Sequence, residues 1–404
     1  MYKRNFYQKQ ISYFINKPVI KIITGMRRVG KSCLLKLIIE DIIDNNIAKS
    51  RILYINKESL EFDFINNYKD LYDYVKTKFK NIQDQKYLFI DEIQEIDLWE
   101  KAVNSFFSQQ DIDIFLTGSN ANLLSSELAT LVSGRYVETE VYSLGFQEFI
   151  EFRSKKENYD NARHFQHYLQ FGGLPALHVF DLNKEMIFQY LSSIYDTIIL
   201  KDVIKRNNIR NVSLLENLTR YIFDNIGNIF SAKKIADFLK SQNLKVGVET
   251  IQNYLSYLCS TFVIHKVPRY DIKGKRLLEL HEKYYLGDIG LRHALLGFRE
   301  SDISGILENI VFLELKRKGY RVHLGKMGNA EVDFIATKEN KKIYIQVSYL
   351  LSSKETITRE FSVLQKIKDN YPKYVITLDT IFGKDFEGIK QVNLIDFLLD
   401  QDMI

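Results

Sequence analysis

The segment Gly25-Met26-Arg27-Arg28-Val29-Gly30-Lys31-Ser32 has glycine at its first and sixth positions, followed by lysine and a hydroxyl residue. That pattern, G-x-x-x-x-G-K-[ST], suits a triphosphate. Glycines let backbone N–H groups turn toward phosphate oxygens, and a helix beginning there adds the positive end of its dipole. Lys31 can then reach the β- and γ-phosphates while the Ser32 hydroxyl ligates Mg²⁺. Gly25, Arg28, Val29, Gly30, Lys31, Ser32 and Cys33 are the candidate ATP contacts, with Cys33 expected as a buried helix residue.

Magnesium at such a loop also needs a carboxylate. Tyr87-Leu88-Phe89-Ile90-Asp91-Glu92 offers four apolar residues and then two acids, the pattern of a buried strand with its functional groups at the C-terminal end. Asp91 is expected to hold Mg²⁺, directly or through water, and Glu92 to polarise the attacking water. The next apolar run ends in Thr117-Gly118-Ser119-Asn120. Asn120 is a candidate for holding the same water, and it reads equally well as a helix cap. Arg135, acting from a neighbouring subunit, and Arg28 compete for the stabilisation of transition-state charge; a structural or solvated arginine is the alternative.

The elements that must position these groups follow from hydrophobic pattern. Apolar runs at 19 to 24, 51 to 56, 86 to 91, 113 to 118 and 136 to 142 alternate with helical patterns. Runs apolar throughout imply strands covered on both faces, and intervening helices imply parallel crossovers. An α/β domain with about five parallel strands is expected over residues 1–144. From 145 to 303 helical spacing dominates. Three shorter helices near 213 to 226, 231 to 241 and 248 to 260 precede two β-like runs that flank the turn Asp271 to Gly274. Three helices and a hairpin, about 213–287, is the order of a winged helix. Residues 304–404 read as a third domain in the order αβββαβ.

With those motifs in place, GMRRVGKS, LFIDEIQ, FLTGSNANLL, LVSGRY and SLGFQEF resemble the bacterial and archaeal AAA-type ATPases that carry a C-terminal domain related to restriction-endonuclease-like nucleases. The resemblance spans nearly the whole chain. It implies an additional-strand P-loop core, a winged-helix middle and a nuclease-like end. In that nuclease fold an acid on the first helix, an Asp, and then Glu-x-Lys bind Mg²⁺ and activate water. The matching positions here are Glu308, Asp333, Gln346 and Ser348. Gln346 is a neutral ligand and Ser348 lacks the ammonium, so a degenerate site without cleavage is expected.

Basic residues offer a nucleic-acid surface. Lys201, Lys205, Arg206 and Arg210 fall largely on one helical face, Lys245, Thr250 and Gln252 surround the start of the third short helix, and Lys273, Lys275 and Arg276 sit at the hairpin tip. A solvated face and a protein-docking module are the competing readings. His164 and His167 are three apart without an evident acidic partner, so a metal site there is not expected.

Composition bounds the rest. The 404 residues are 46% hydrophobic and 26% charged, which excludes a disordered or fibrous chain. The net charge of +5 permits nucleic-acid binding without requiring it. Two cysteines cannot form a disulfide framework, and no apolar run reaches the roughly 18 residues of a membrane span, so a cytoplasmic protein is expected. The sequence thus points to an Mg²⁺-dependent ATPase acting on nucleic acid. A nucleotide-dependent protein-interaction switch and an ATP-driven nuclease are the alternatives, with oligomer formation left open.

Overall fold

The computed structural model describes residues 2–124, 134–154, 159–351, 353–379 and 385–400. Residues 131–133 of the LVSGRY motif lie outside this set. The chain divides into two compact units, one formed by residues 1–141 with 260–262 and the other by 142–259 with 263–404. The second therefore includes both the helical middle and the C-terminal αβββαβ region.

Among its described residues the first unit has five strands, β1 (Ile20–Thr24), β2 (Ile52–Asn56), β3 (Lys86–Asp91), β4 (Ile112–Gly118) and β5 (Tyr136–Glu140). They form an all-parallel sheet in the order β2-β3-β4-β1-β5. β1, β3 and β4 are buried at every position, as strands covered on both faces must be. One face packs Ile22, Leu88, Ile90 and Leu116 with Leu71, Val75, Val103 and Phe106. Those last four come from the helices Tyr68–Phe79 and Trp99–Ser108, which cross from one strand to the next. β4 lies between β1 and β3, so the strand before the glycine loop is not hydrogen-bonded to the strand carrying the two acids.

Polar side chains are also built into this unit. Lys21 on β1 pairs with Asp113 on β4, both almost fully buried, and the Lys21 ammonium lies 5.0 Å from the centre of the Phe115 ring. Arg4, also buried, precedes the helix Asn5–Ser12 and donates from Nη1 to the Val29 carbonyl at 3.0 Å.

Among its described residues the second unit holds seven strands: β6 (Ile264–Asp271), β7 (Arg276–Leu286), β8 (Arg321–Met327), β9 (Ala330–Lys338), β10 (Lys341–Ser348), β11 (Lys373–Thr377) and β12 (Ile389–Asn393). Their order is β12-β11-β10-β9-β8-β6-β7. β6 runs parallel to β8, and β10, β11 and β12 are mutually parallel; the other pairings are antiparallel. The hairpin β6–β7 is therefore the end of the same sheet that carries residues 321–393, and a boundary at 303/304 cuts across one hydrogen-bonded sheet. The helices Val212–Asp224, Ala232–Ser241 and Val248–Ser260 stand where the periodicity places them. Residues 198–205 are wound as a π-helix.

Candidate functional site

β1 ends at Thr24, and the loop Gly25–Gly30 leads into the helix Lys31–Asp44. Gly25 has φ +139°, and a Cβ there would sit 2.2 Å from the Val141 carbonyl oxygen. Only glycine fits. Gly30 and Arg28 also take positive φ, 100° and 70°. No side chain caps the helix at Gly30, whereas Asn67 caps Tyr68–Phe79 with a reciprocal bond from Asp70. An N-cap glycine thus offers the first-turn amides no side-chain acceptor of its own.

Lys31 is buried and donates from Nζ to the carbonyls of Gly25 (3.0 Å) and Met26 (3.2 Å). Its ammonium is also 3.6 Å from Glu92 Oε1. The tips of β1 and β3 therefore bring Lys31 and Glu92 to one place. Asp91, 1% exposed, accepts from Tyr54 Oη at 3.0 Å on one carboxylate oxygen and from Thr117 Oγ1 on the other. Two hydroxyls, from the neighbouring strands β2 and β4, thus fix its plane.

Glu92 takes φ +56°, which turns it off the strand direction. Its backbone N–H donates to Thr117 Oγ1 at 3.0 Å, and its carboxylate accepts from Ser119 Oγ at 3.0 Å and from the Gln94 amide. Burial alone would raise the Glu92 carboxyl. The Lys31 ammonium, the Gln94 amide, Arg27 and Ser119 together outweigh it and hold Glu92 below the usual carboxylate range.

At the β4 tip, Ser119 reaches Glu92, a contact that the sequence pattern does not single out; Asn120 follows, and its carbonyl accepts from Leu123 N–H at 3.1 Å in the short helix Ala121–Leu124. Arg28 is exposed on the loop, while Arg27 is committed to Glu58 at 2.6 Å. Arg135 lies elsewhere. Its carbonyl accepts from Ile20 N–H at the beginning of β1, a strand length from Gly25, and its guanidinium bonds Asn104 Oδ1 at 3.1 Å. Ser32 is half-buried and Val29 fully buried. Cys33 is exposed, correcting the expectation of a buried position: on the helix Lys31–Asp44 it is Leu34, Leu35, Leu37 and Ile38 that face the core.

ATP and Mg²⁺ fit this donor set. The loop is glycine-shaped and served by an ammonium, and Ser32 and Asp91 offer hard oxygen atoms of the kind that Mg²⁺ prefers.

A second constellation lies in the second unit. Glu308, on the helix Ile303–Arg317, and Asp333, on β9, are brought together, but around a residue that no sequence motif marks. Lys283 of β7 places Nζ 3.1 Å from Glu308 Oε2, 2.8 Å from Glu331 Oε1 and 3.5 Å from Asp333 Oδ1. Tyr285 Oη also donates to Glu308 Oε2 at 3.0 Å, and Asp333 Oδ2 accepts from Val347 N–H at 2.9 Å. Gln346 Oε1 turns onto the Asp333 backbone N–H at 3.3 Å, and Ser348 is buried at the end of β10. Burial would lower the Lys283 ammonium, yet Asp333, Glu308 and Glu331 together raise it far above its ordinary value. Burial and the Asp333 charge push Glu308 up.

Lys273, Lys275 and Arg276 are exposed at the hairpin tip, where the Asp271 carboxylate accepts from the N–H groups of Lys273 and Gly274, both at 3.1 Å. Lys245 and Gln252 are exposed and Thr250 is half-buried. Lys201, Lys205 and Arg210 are exposed, while Arg206 leans 3.7 Å from Asp202. His164 and His167 pack against the Tyr159 ring, at 5.6 and 5.5 Å between centroids. Among the described residues, with the side chains as they stand, no group of three or more His, Cys, Asp or Glu could hold a metal ion, and no helix is long and apolar enough to cross a membrane.

Comparison with known proteins bears on the first unit most directly. A family described as "AAA domain" matches residues 17–150, and one described as a domain of unknown function (DUF8612) matches residues 162–302. A protein of Haemophilus influenzae, described only as uncharacterized, is 37% identical over 403 residues, 99% of each chain. An uncharacterized protein of Methanocaldococcus jannaschii is 34% identical over 392 residues, covering 93% of this chain and 85% of that one. The solved Walker-type ATPase of Pyrococcus abyssi shares the fold at TM-score 0.52 and 15% identity, over 73% of this chain and 96% of its own. The chain therefore belongs to one family with the Haemophilus and Methanocaldococcus proteins, and its first unit carries an AAA-type P-loop domain.

Proposed function

We propose that the chain is an Mg²⁺-dependent ATPase whose turnover switches a nucleic-acid-binding second unit. The observation that carries the hydrolytic reading is the meeting of Lys31 and Glu92, 3.6 Å apart, beside an Asp91 held on both carboxylate oxygens. The loop amides and Lys31 bind and orient the phosphates, and Ser32 and Asp91 hold Mg²⁺, which neutralises phosphate charge when bound. Glu92, ionised at neutral pH, accepts the proton of the attacking water at Oε1 or Oε2, and Ser119 and Gln94 orient that carboxylate. Asn120 adjoins this tip and is a secondary candidate for the same water. Arg135, at the far end of β1, serves only if a second copy presents it, whereas Arg28 is exposed on the loop itself.

Support for nucleic acid comes from the exposed cations at the tip of β6–β7 and at the start of the helix Val248–Ser260, the two places where a winged helix meets DNA. The αβββαβ order of residues 303–377 supports the restriction-endonuclease-like reading, with Gln346 and Ser348 arguing against cleavage. The test is the ATPase rate with and without single- and double-stranded DNA at two salt concentrations. The proposal expects stimulation that weakens at the higher salt. Slow turnover indifferent to DNA at both salts would move the reading to a nucleotide-dependent protein-interaction switch.

A further inference from the structure

Three carboxylates of the second unit converge from two elements, Glu308 from a helix and Glu331 and Asp333 from β9. Side chains so placed repel unless a cation lies among them. The cation is Lys283, which arrives from β7, the last strand of the sheet, with its side chain only 5% exposed. Its Nζ is within 3.5 Å of all three. Other protein donors reach the same cluster. Tyr285 Oη shares Glu308 Oε2 with Lys283, the Val347 N–H takes Asp333 Oδ2, and the Gln346 carbonyl oxygen is turned onto the strand backbone.

We propose that Lys283 is the resident cation of this cluster, so that its ammonium stands where a divalent metal would be held and closes the site to one. The assignment is independent of the ATPase reading, because it rests only on side chains of the second unit. It also gives a reason for the absence of lysine at position 348: positive charge reaches the cluster from another strand. Glu331, whose side chain is 28% exposed, marks the edge through which an ion would enter once the ammonium is removed.

Mn²⁺ is the probe, titrated into nucleotide-free full-length protein and followed by electron paramagnetic resonance. Wild type and its Asp333→Asn variant should give the same titration. Lys283→Met, neutral and similar in length, should gain one Mn²⁺ site at least about 100-fold tighter than any in wild type, and Asp333→Asn in that background should abolish it. A folded Lys283→Met protein with no new site would overturn the proposal. So would wild-type Mn²⁺ binding lost on Asp333→Asn, which needs no lysine variant and so decides the matter even if Lys283→Met fails to fold.

Discussion

On the proposed mechanism Glu92 is the base that accepts the proton of the attacking water. Its carboxyl is held below the ordinary value of 4.5, so the ionised form persists to lower pH than in a free glutamate. A base of that kind is available above its own pKa and lost only beneath it. The acid limb of the kcat profile contributed by Glu92 should therefore lie below pH 4.5, leaving hydrolysis flat in this respect between roughly pH 6 and 8. A Glu92-dependent limb near neutrality would contradict that placement. Ser119 and Asn120 separate in the same terms. Ser119→Ala removes a 3.0 Å donor to the base and should lower kcat by about tenfold with little change in KM, whereas Asn120→Ala should have the smaller effect on kcat. Steady-state kinetics of the two variants check the order. Lys31→Ala should weaken nucleotide binding by at least about tenfold, since the phosphates then have no ammonium to donate to them.

At the scale of elements, β1 and β4 carry the Lys21–Asp113 pair through the interior of the sheet. Asp113→Asn leaves the Lys21 ammonium buried without its counter-ion and should cost about 3–5 kcal/mol, read as a lowered urea midpoint. The double change Lys21→Met with Asp113→Leu should recover most of that loss; a single variant as stable as wild type would show that the pair contributes little. Gly25→Ala tests the loop, because its Cβ would meet the Val141 carbonyl at 2.2 Å at φ +139°. A loss of about 2 kcal/mol or more, with impaired nucleotide binding, is expected. The loop, the five strands and the Asp91–Glu92 pair were legible in the sequence because each depends on a local pattern: glycine spacing, uninterrupted apolar runs, acids at a strand end. Tyr54, Thr117 and Ser119 were not, since their roles arise from β2 and β4 lying on either side of β3. Lys283 was hidden for the same reason. It sits in a strand that reads locally as half of a wing, and its partners lie 25 or more residues away on other elements. β12, a short edge strand of mixed polarity (IKQVN), had too weak a pattern to be anticipated.

For the whole molecule, a net charge of only +5 means that any DNA affinity must come from local clusters rather than from overall charge. Replacing Lys273, Lys275 and Arg276 by alanine should weaken DNA binding almost independently of sequence. It should also flatten the slope of log K against log salt by up to about 0.9 for each phosphate that the variant no longer neutralises. Unchanged affinity and slope, measured by anisotropy over a salt series, would direct attention to protein docking instead. The family assignment and the P-loop fold are common ground for either outcome, and ATP hydrolysis is the central claim. It is tested most directly by comparing ATP binding and turnover in wild type and Glu92→Gln under saturating Mg²⁺. The expected result is Mg²⁺-dependent hydrolysis by the wild type, and a variant that binds ATP with near wild-type affinity but turns it over about 100- to 10,000-fold more slowly. Full turnover by Glu92→Gln would contradict it.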